Sequence, residues 1–181
     1  PRLTLSGPNL VIIAEHKKAA TSTLKEGIKL FTSTIRRRSP DYLDPKLNCH
    51  SKLHEVQALI QAIEAGGDEA LMLDINGFVS TCNATNFFIV TDGEVWTSTD
   101  AYCMNGITRS KVIDLCHKNG VICREKNFSL YDVYSADEAF VTGTFGGLTP
   151  VRRVDGKLIG NFNLILTQRR QALYYEMITA S

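Results

Sequence analysis

Three dipeptides, Asn76-Gly77, Asp92-Gly93 and Asp155-Gly156, each stand between two short apolar runs. An Asx-Gly pair supplies the positive φ angles of tight hairpin turns, whose twist suits two antiparallel strands. A chain with three such pairs is committed to hairpins. Leu71-Met72-Leu73 and Phe78-Val79 flank the first pair. Residues 86–90 and 94–97 flank the second, and 151–154 and 157–158 the third. Further strands are expected over 10–14, 27–35, 121–124 and 139–141, where β-branched and apolar residues gather.

Elsewhere the apolar period lengthens. Leu53, Val56, Ile60 and Ile63 recur at three- and four-residue spacing, predicting an amphipathic helix over 50–65 that Gly66-Gly67 stops. Thr108 is placed as the cap of a helix over 109–118, with Val112, Ile113 and Cys116 inward and Gly120 at its end. A short helical turn over 130–134 and a last helix over 164–177 complete the pattern. Hairpins interleaved with helices define an α+β (mixed α/β) class.

With 181 residues, 44% of them hydrophobic, the chain can bury a core in one or two small domains. Its charges are scattered and sum to +1, which gives no electrostatic footprint for nucleic acid or an anionic membrane. The one basic run, Arg36-Arg37-Arg38, reads as a solvated strand end rather than an anion site. No apolar run is long enough to span a bilayer. Five cysteines with no CxxC pair suit reduced thiols and a cytoplasmic setting. Pro1-Arg2-Leu3 leads almost at once into strand-like sequence, and the chain is expected to be part of a longer protein.

Reactive side chains concentrate in Asp44-Pro45-Lys46-Leu47-Asn48-Cys49-His50-Ser51-Lys52. His50 and His54 lie four apart and could share a helix face. Their spacing matches neither HExxH nor a CxxC knuckle, so no metal is expected. Two other segments suit an anion. Gly106-Ile107-Thr108-Arg109 sets a glycine before a helix N-terminus, where backbone N–H groups and the helix dipole favour negative charge. Thr142-Gly143-Thr144-Phe145-Gly146-Gly147 offers hydroxyls and further N–H groups at a strand end.

These segments, in this order, carry a family pattern. Its pieces are Gly67-Asp68-Glu69-Ala70-Leu71-Met72-Leu73-Asp74 with Asn76-Gly77, and Thr85-Asn86-Phe87-Phe88 with Asp92-Gly93. Gly106-Ile107-Thr108-Arg109, Ala136-Asp137-Glu138-Ala139-Phe140 and Thr142-Gly143-Thr144 leading to Thr149-Pro150-Val151 follow. The sequence resembles the fold-type IV pyridoxal-phosphate enzymes, the class IV aminotransferases. This family includes branched-chain and D-amino acid aminotransferases and aminodeoxychorismate lyases.

The resemblance implies a D-amino acid aminotransferase-like fold and a homodimer, with pyridoxal phosphate held between two domains. Residues 1–40 then correspond to end strands and linker of a truncated N-terminal region, and 41–181 to the C-terminal cofactor-binding domain. The resemblance assigns the cofactor phosphate to Gly106, Ile107, Thr108 and Thr144, and the substrate carboxylate to the turn at Phe145 and Gly146. It implies a small amino or keto acid as substrate.

Two positions depart from the pattern. Asn48 falls at the family's Schiff-base lysine, and an amide nitrogen can neither form that bond nor shuttle the proton of transamination. Thr81 falls at the glutamate that faces the pyridine nitrogen, and a hydroxyl cannot stabilise a pyridinium as a carboxylate does. Lys52 is the better candidate for a relocated amine; a one- or two-residue shift in alignment would instead select Lys46. The plain alternative leaves both lysines structural. Two functions remain open: an aminotransferase-like enzyme with altered catalytic residues, or a catalytically degenerate homologue that binds a phosphate-bearing ligand or regulates.

Overall fold

The computed structural model describes residues 26–144 and 146–161, together with residues 12, 14, 23, 167, 171, 172 and 174. Its strands are β1 (Ile28–Thr32), β2 (Glu69–Leu73), β3 (Val79–Cys82), β4 (Asn86–Thr91), β5 (Glu94–Thr97), β6 (Cys123–Glu125), β7 (Glu138–Gly143), β8 (Gly147–Val154) and β9 (Lys157–Leu158). Among the described residues, three helices of six residues or more join them: α1 (Leu53–Glu64), α2 (Ile107–Lys118) and α3 (Leu130–Ser135). The expected strand over 10–14 and helix over 164–177 lie largely outside the described residues.

All three Asx-Gly hairpins form, as β2–β3, β4–β5 and β8–β9. In the last two, both turn residues have positive φ, 49° and 76° at Asp92-Gly93 and 52° and 79° at Asp155-Gly156. The first turn is built differently. There the Asp74 carboxylate accepts the N–H groups of Asn76 and Phe78, and only Gly77 takes a positive φ.

The strands form one mixed sheet in the order β3-β2-β1-β8-β7-β4-β5-β6, with β9 on β8. β1 lies parallel to both neighbours, pairing Leu30 with Glu69 and Ile28 with Val151. The sheet curls, because β3 is also tied to its far side. Val79 N–H donates to the Phe128 carbonyl, and the Ser98 hydroxyl donates to the Ser80 carbonyl.

Alternate residues of β4 enter different cores. Phe87 and Ile89 pack with Leu71, Val141 and Val151, while Phe88 and Val90 pack with Val112, Ile113, Cys116 and Phe140. Such two-faced burial marks a central strand. Phe88 and Phe140 stack with centroids 4.9 Å apart, and full burial of each ring contributes about 1.5–3 kcal/mol.

α2 turns Val112, Ile113 and Cys116 inward as its spacing requires. Its N-cap, however, is Gly106, and Thr108 is a buried residue of the first turn rather than the cap. α1 departs further from expectation. Its apolar stripe of Leu53, Val56, Ile60 and Ile63 faces outward, between 49% and 66% exposed. The face on the sheet is instead Glu55, Ala58 and Ala62, the two alanines packing on Ala70 and Met72. Small side chains let the helix approach closely, and Gln61 fixes the same face by accepting hydrogen bonds from the Ser33 and Thr34 hydroxyls. Among the described residues no helix is long and apolar enough to cross a membrane.

Candidate active site

A cavity of about 410 Å³ opens where β3 ends and β4 begins, with the segment before α1 forming its other wall. Arg38, Asn48, Lys52, Glu55, Thr81 and Asn86 are among the side chains that line it. The turn between β3 and β4 is rigid for local reasons. Cys82 N–H donates to the Thr85 carbonyl, and Asn83 Oδ1 accepts the Ala70 N–H at 2.7 Å. The buried Glu69 carboxylate accepts the Ala84 N–H and the Thr85 hydroxyl. Burial raises the Glu69 pKa against the effect of these donors. A turn so clamped holds Thr81 and Asn86 in fixed positions.

Asn86 joins the cavity to the helix terminus. Its Nδ2 donates to the Met104 carbonyl at 2.9 Å and, at 3.4 Å, to the Thr81 hydroxyl. Its Oδ1 lies so close to Gly106 that a Cβ there would stand 2.5 Å away. Gly106 caps α2 with no side-chain bond to the first N–H groups, so those donors remain available to a ligand. In β7, Thr142 pairs in register with Asn86, which brings the β7–β8 turn to this end of the sheet.

The opposite wall is charged. Glu55 Oε1 accepts Arg37 Nη1 at 2.8 Å and Arg38 Nη2 at 3.1 Å, and all three residues are buried. Arg37 Nε also donates to the Tyr102 carbonyl, and Arg38 Nη1 to the Ser51 carbonyl. Arg38 Nε and Glu55 Oε2 have no partner among the described residues. Burial lowers the Arg37 pKa, with Glu55 opposing. Arg37 and Arg38 are therefore not a solvated strand end; Arg36 alone of the run is exposed. Two guanidiniums facing one carboxylate leave this wall with an excess positive charge.

Asn48, Lys52 and Thr81 thus meet at one cavity, and Lys52 Nζ donates to Asn48 Oδ1 at 3.3 Å. Thr81 directs its hydroxyl to the Thr85 carbonyl at 2.8 Å. Lys46 is not among the lining residues; its Nζ lies 3.8 Å from the Asp100 carboxylate. No strand forms around residue 48, so Lys46 and Asn48 do not share a face as extended chain would require. Ile107 is exposed, Thr108 is buried, and Thr144 and Gly146 lie in the turn between β7 and β8. Phe145 lies outside the described residues.

His54 Nε2 is 3.5 Å from the Tyr42 hydroxyl, and His50 is exposed. Among the described residues no group of three or more His, Cys, Asp or Glu could hold a metal ion. The Cys49 thiol is held below its usual pKa by the backbone of Ser51, with Arg38 and Lys52 adding to the effect. Burial pushes Cys82 well above its own. Sequence reasoning missed Arg37, Arg38, Glu55 and Asn86 as site residues. Thr85-Asn86 within a named motif was the available signal for the last.

A curled mixed sheet, a glycine-capped helix and a cavity between them can be compared with known proteins. Residues 3–154 match the family described as amino-transferase class IV. The chain belongs to the class IV aminotransferase family. It is 39% identical to the branched-chain-amino-acid aminotransferase-like protein 2 of Arabidopsis thaliana over 179 residues, covering 99% of this chain and 32% of that protein. It is 36% identical over 158 residues to the branched-chain-amino-acid aminotransferase of Pseudomonas aeruginosa, covering 86% of this chain and 52% of that one. Among solved structures, the Escherichia coli branched-chain amino acid aminotransferase superposes with a TM-score of 0.83 at 31% identity, covering 87% of this chain and 53% of the other. A T.th. branched-chain amino acid aminotransferase with pyridoxamine 5'-phosphate superposes with a TM-score of 0.86 at 28% identity, covering 92% of this chain and 55% of the other. The chain therefore spans between about a third and a little over half of these relatives' lengths.

Proposed function

We propose that this class IV aminotransferase domain binds pyridoxal phosphate and takes part in amino-group transfer on a small amino or keto acid, within a homodimeric, cytoplasmic protein. The observation that carries the reading is the meeting of Asn48, Lys52 and Thr81 at one cavity whose wall, through Asn86, abuts the glycine-capped terminus of α2. The fit to a phosphate is supported by that terminus. The N–H groups of Ile107 and Thr108 lie in the first turn of α2 without a side-chain cap, and the helix dipole adds attraction for an anion. The Thr144 hydroxyl, in the neighbouring turn, is the second donor we assign.

When bound, pyridoxal phosphate supplies an electrophilic aldehyde and a ring that accepts electron density. Asn48 presents a neutral amide to the cavity and cannot carry a proton between atoms. Lys52 presents an amine beside it. Arg37 and Arg38 attract an anionic substrate through their guanidiniums. We assign the substrate carboxylate to Phe145 and Gly146.

A second reading has its own observation. Thr81 has no carboxylate to stabilise a pyridinium, and its hydroxyl proton is already given to the Thr85 carbonyl. This favours a degenerate homologue that binds a phosphate-bearing ligand without turnover. Incubation with pyridoxal phosphate, a ¹⁵N-labelled amino acid and a panel of 2-oxo acids separates the two. Transfer of label to a 2-oxo acid supports the enzyme. Cofactor binding with no transfer across the panel supports the degenerate homologue.

A further inference from the structure

We propose that Lys52 is the residue that captures an aldehyde covalently in this cavity. The inference rests on the pyridoxal phosphate reading above and deepens it. Among the described residues Lys52 is the one lysine that lines the cavity. Lys52 also borders a second, neighbouring depression with His50 and His54, but Asn48 lines only the first. Because Nζ donates to Asn48 Oδ1, the amine sits on the side of the first.

Other lysines are engaged differently. Lys46 faces Asp100, Lys126 lies 3.8 Å over the Trp96 ring, and Lys157 lies 4.4 Å over the Tyr134 ring. Lys52 instead contacts a neutral amide. Helix stability does not explain its position. Lys52 is the N-cap of α1 and makes no side-chain cap bond, whereas caps are acceptors and a cation there opposes the helix dipole. The wall beside it supplies what an anionic aldehyde needs, since Arg37 and Arg38 share one carboxylate oxygen.

The step is a condensation. After its ammonium gives one proton to solvent, Lys52 Nζ attacks the aldehyde carbon and a C–N bond forms. The two remaining amine protons leave with the carbonyl oxygen as water, and a C=N bond results. Asn48 Oδ1 is a positioning acceptor that orients the nitrogen before attack.

Treating the protein with limiting pyridoxal phosphate, reducing with borohydride and mapping the modified peptide tests this directly. Pyridoxamine phosphate, which has no aldehyde, measures binding alone. The expected result is close to one reducible adduct per chain at Lys52, lost in Lys52→Met and retained in Lys46→Met, while both variants still bind pyridoxamine phosphate. If pyridoxamine phosphate binds but label falls on Lys46 or spreads over surface lysines, the assignment of Lys52 is overturned and the cofactor reading stands. If neither compound binds, the cofactor reading fails and this inference with it.

Discussion

Replacing Gly106 with alanine tests how the helix terminus and the cavity are joined. The added Cβ would meet Asn86 Oδ1 at 2.5 Å, where ordinary contact begins at 3.4 Å. The amide must then retreat by roughly 0.9 Å, enough to break its 2.9 Å bond to the Met104 carbonyl. Losing a buried hydrogen bond and stranding its partners costs about 1–3 kcal/mol. Alanine is also a poorer N-cap than glycine, a further loss of up to about 1 kcal/mol. We expect G106A to lose about 2 kcal/mol in urea unfolding at unchanged m-value.

The mechanism is separable by a double-mutant cycle with Asn86→Ala. Without the amide only the capping loss remains, so the two substitutions should couple by about 1–2 kcal/mol. A coupling below about 0.5 kcal/mol would refute the junction, because G106A would then act through the cap alone.

Three further predictions concern the surrounding structure. Glu55→Gln leaves two buried guanidiniums without a counter-charge and should cost about 3–5 kcal/mol in denaturant unfolding; a loss under about 1 kcal/mol would show that the cluster is solvated. Arg124 and the Trp96 N–H hold the Glu94 carboxyl at about 2, so its contribution is complete above the unfolded value near 4.3 and disappears as pH falls through about 2. Melting temperature against pH should therefore fall less steeply in Glu94→Gln than in the native protein over that window, and parallel curves would contradict this. Ile63→Glu, on the outward stripe of α1, should change unfolding free energy by less than about 0.5 kcal/mol, and a loss above about 1 kcal/mol would mean that another surface covers the stripe.

What the sequence revealed depended on how local each cause was. The Asx-Gly hairpins and the stops after α1 and α2 are written within a few residues, and all formed. The basic run misled because the partner that buries it, Glu55, lies 17 residues from Arg38 and 18 from Arg37. The outward stripe of α1 misled because spacing identifies a face but not which side meets the sheet. Ala58 and Ala62 won that contest by close packing on Ala70 and Met72. The parallel seat of β1 between β2 and β8 depends on pairings with residues far along the chain, which local patterns do not encode. Which of Lys46 and Lys52 lines the cavity could be seen only in three dimensions. The segment around them has no regular period, and the two amines face Asp100 and Asn48 respectively.

If this end of the sheet is built to hold a phosphate-bearing pyridine, its affinity must depend on the phosphate. Parallel titrations with pyridoxamine phosphate and with pyridoxamine isolate that dependence, since the two differ only in the group assigned to the α2 terminus. Charge-assisted hydrogen bonds of about 1.5–3 kcal/mol each predict that the phosphate form binds at least about tenfold more tightly. Equal affinity for the two compounds, or binding of neither, would contradict it.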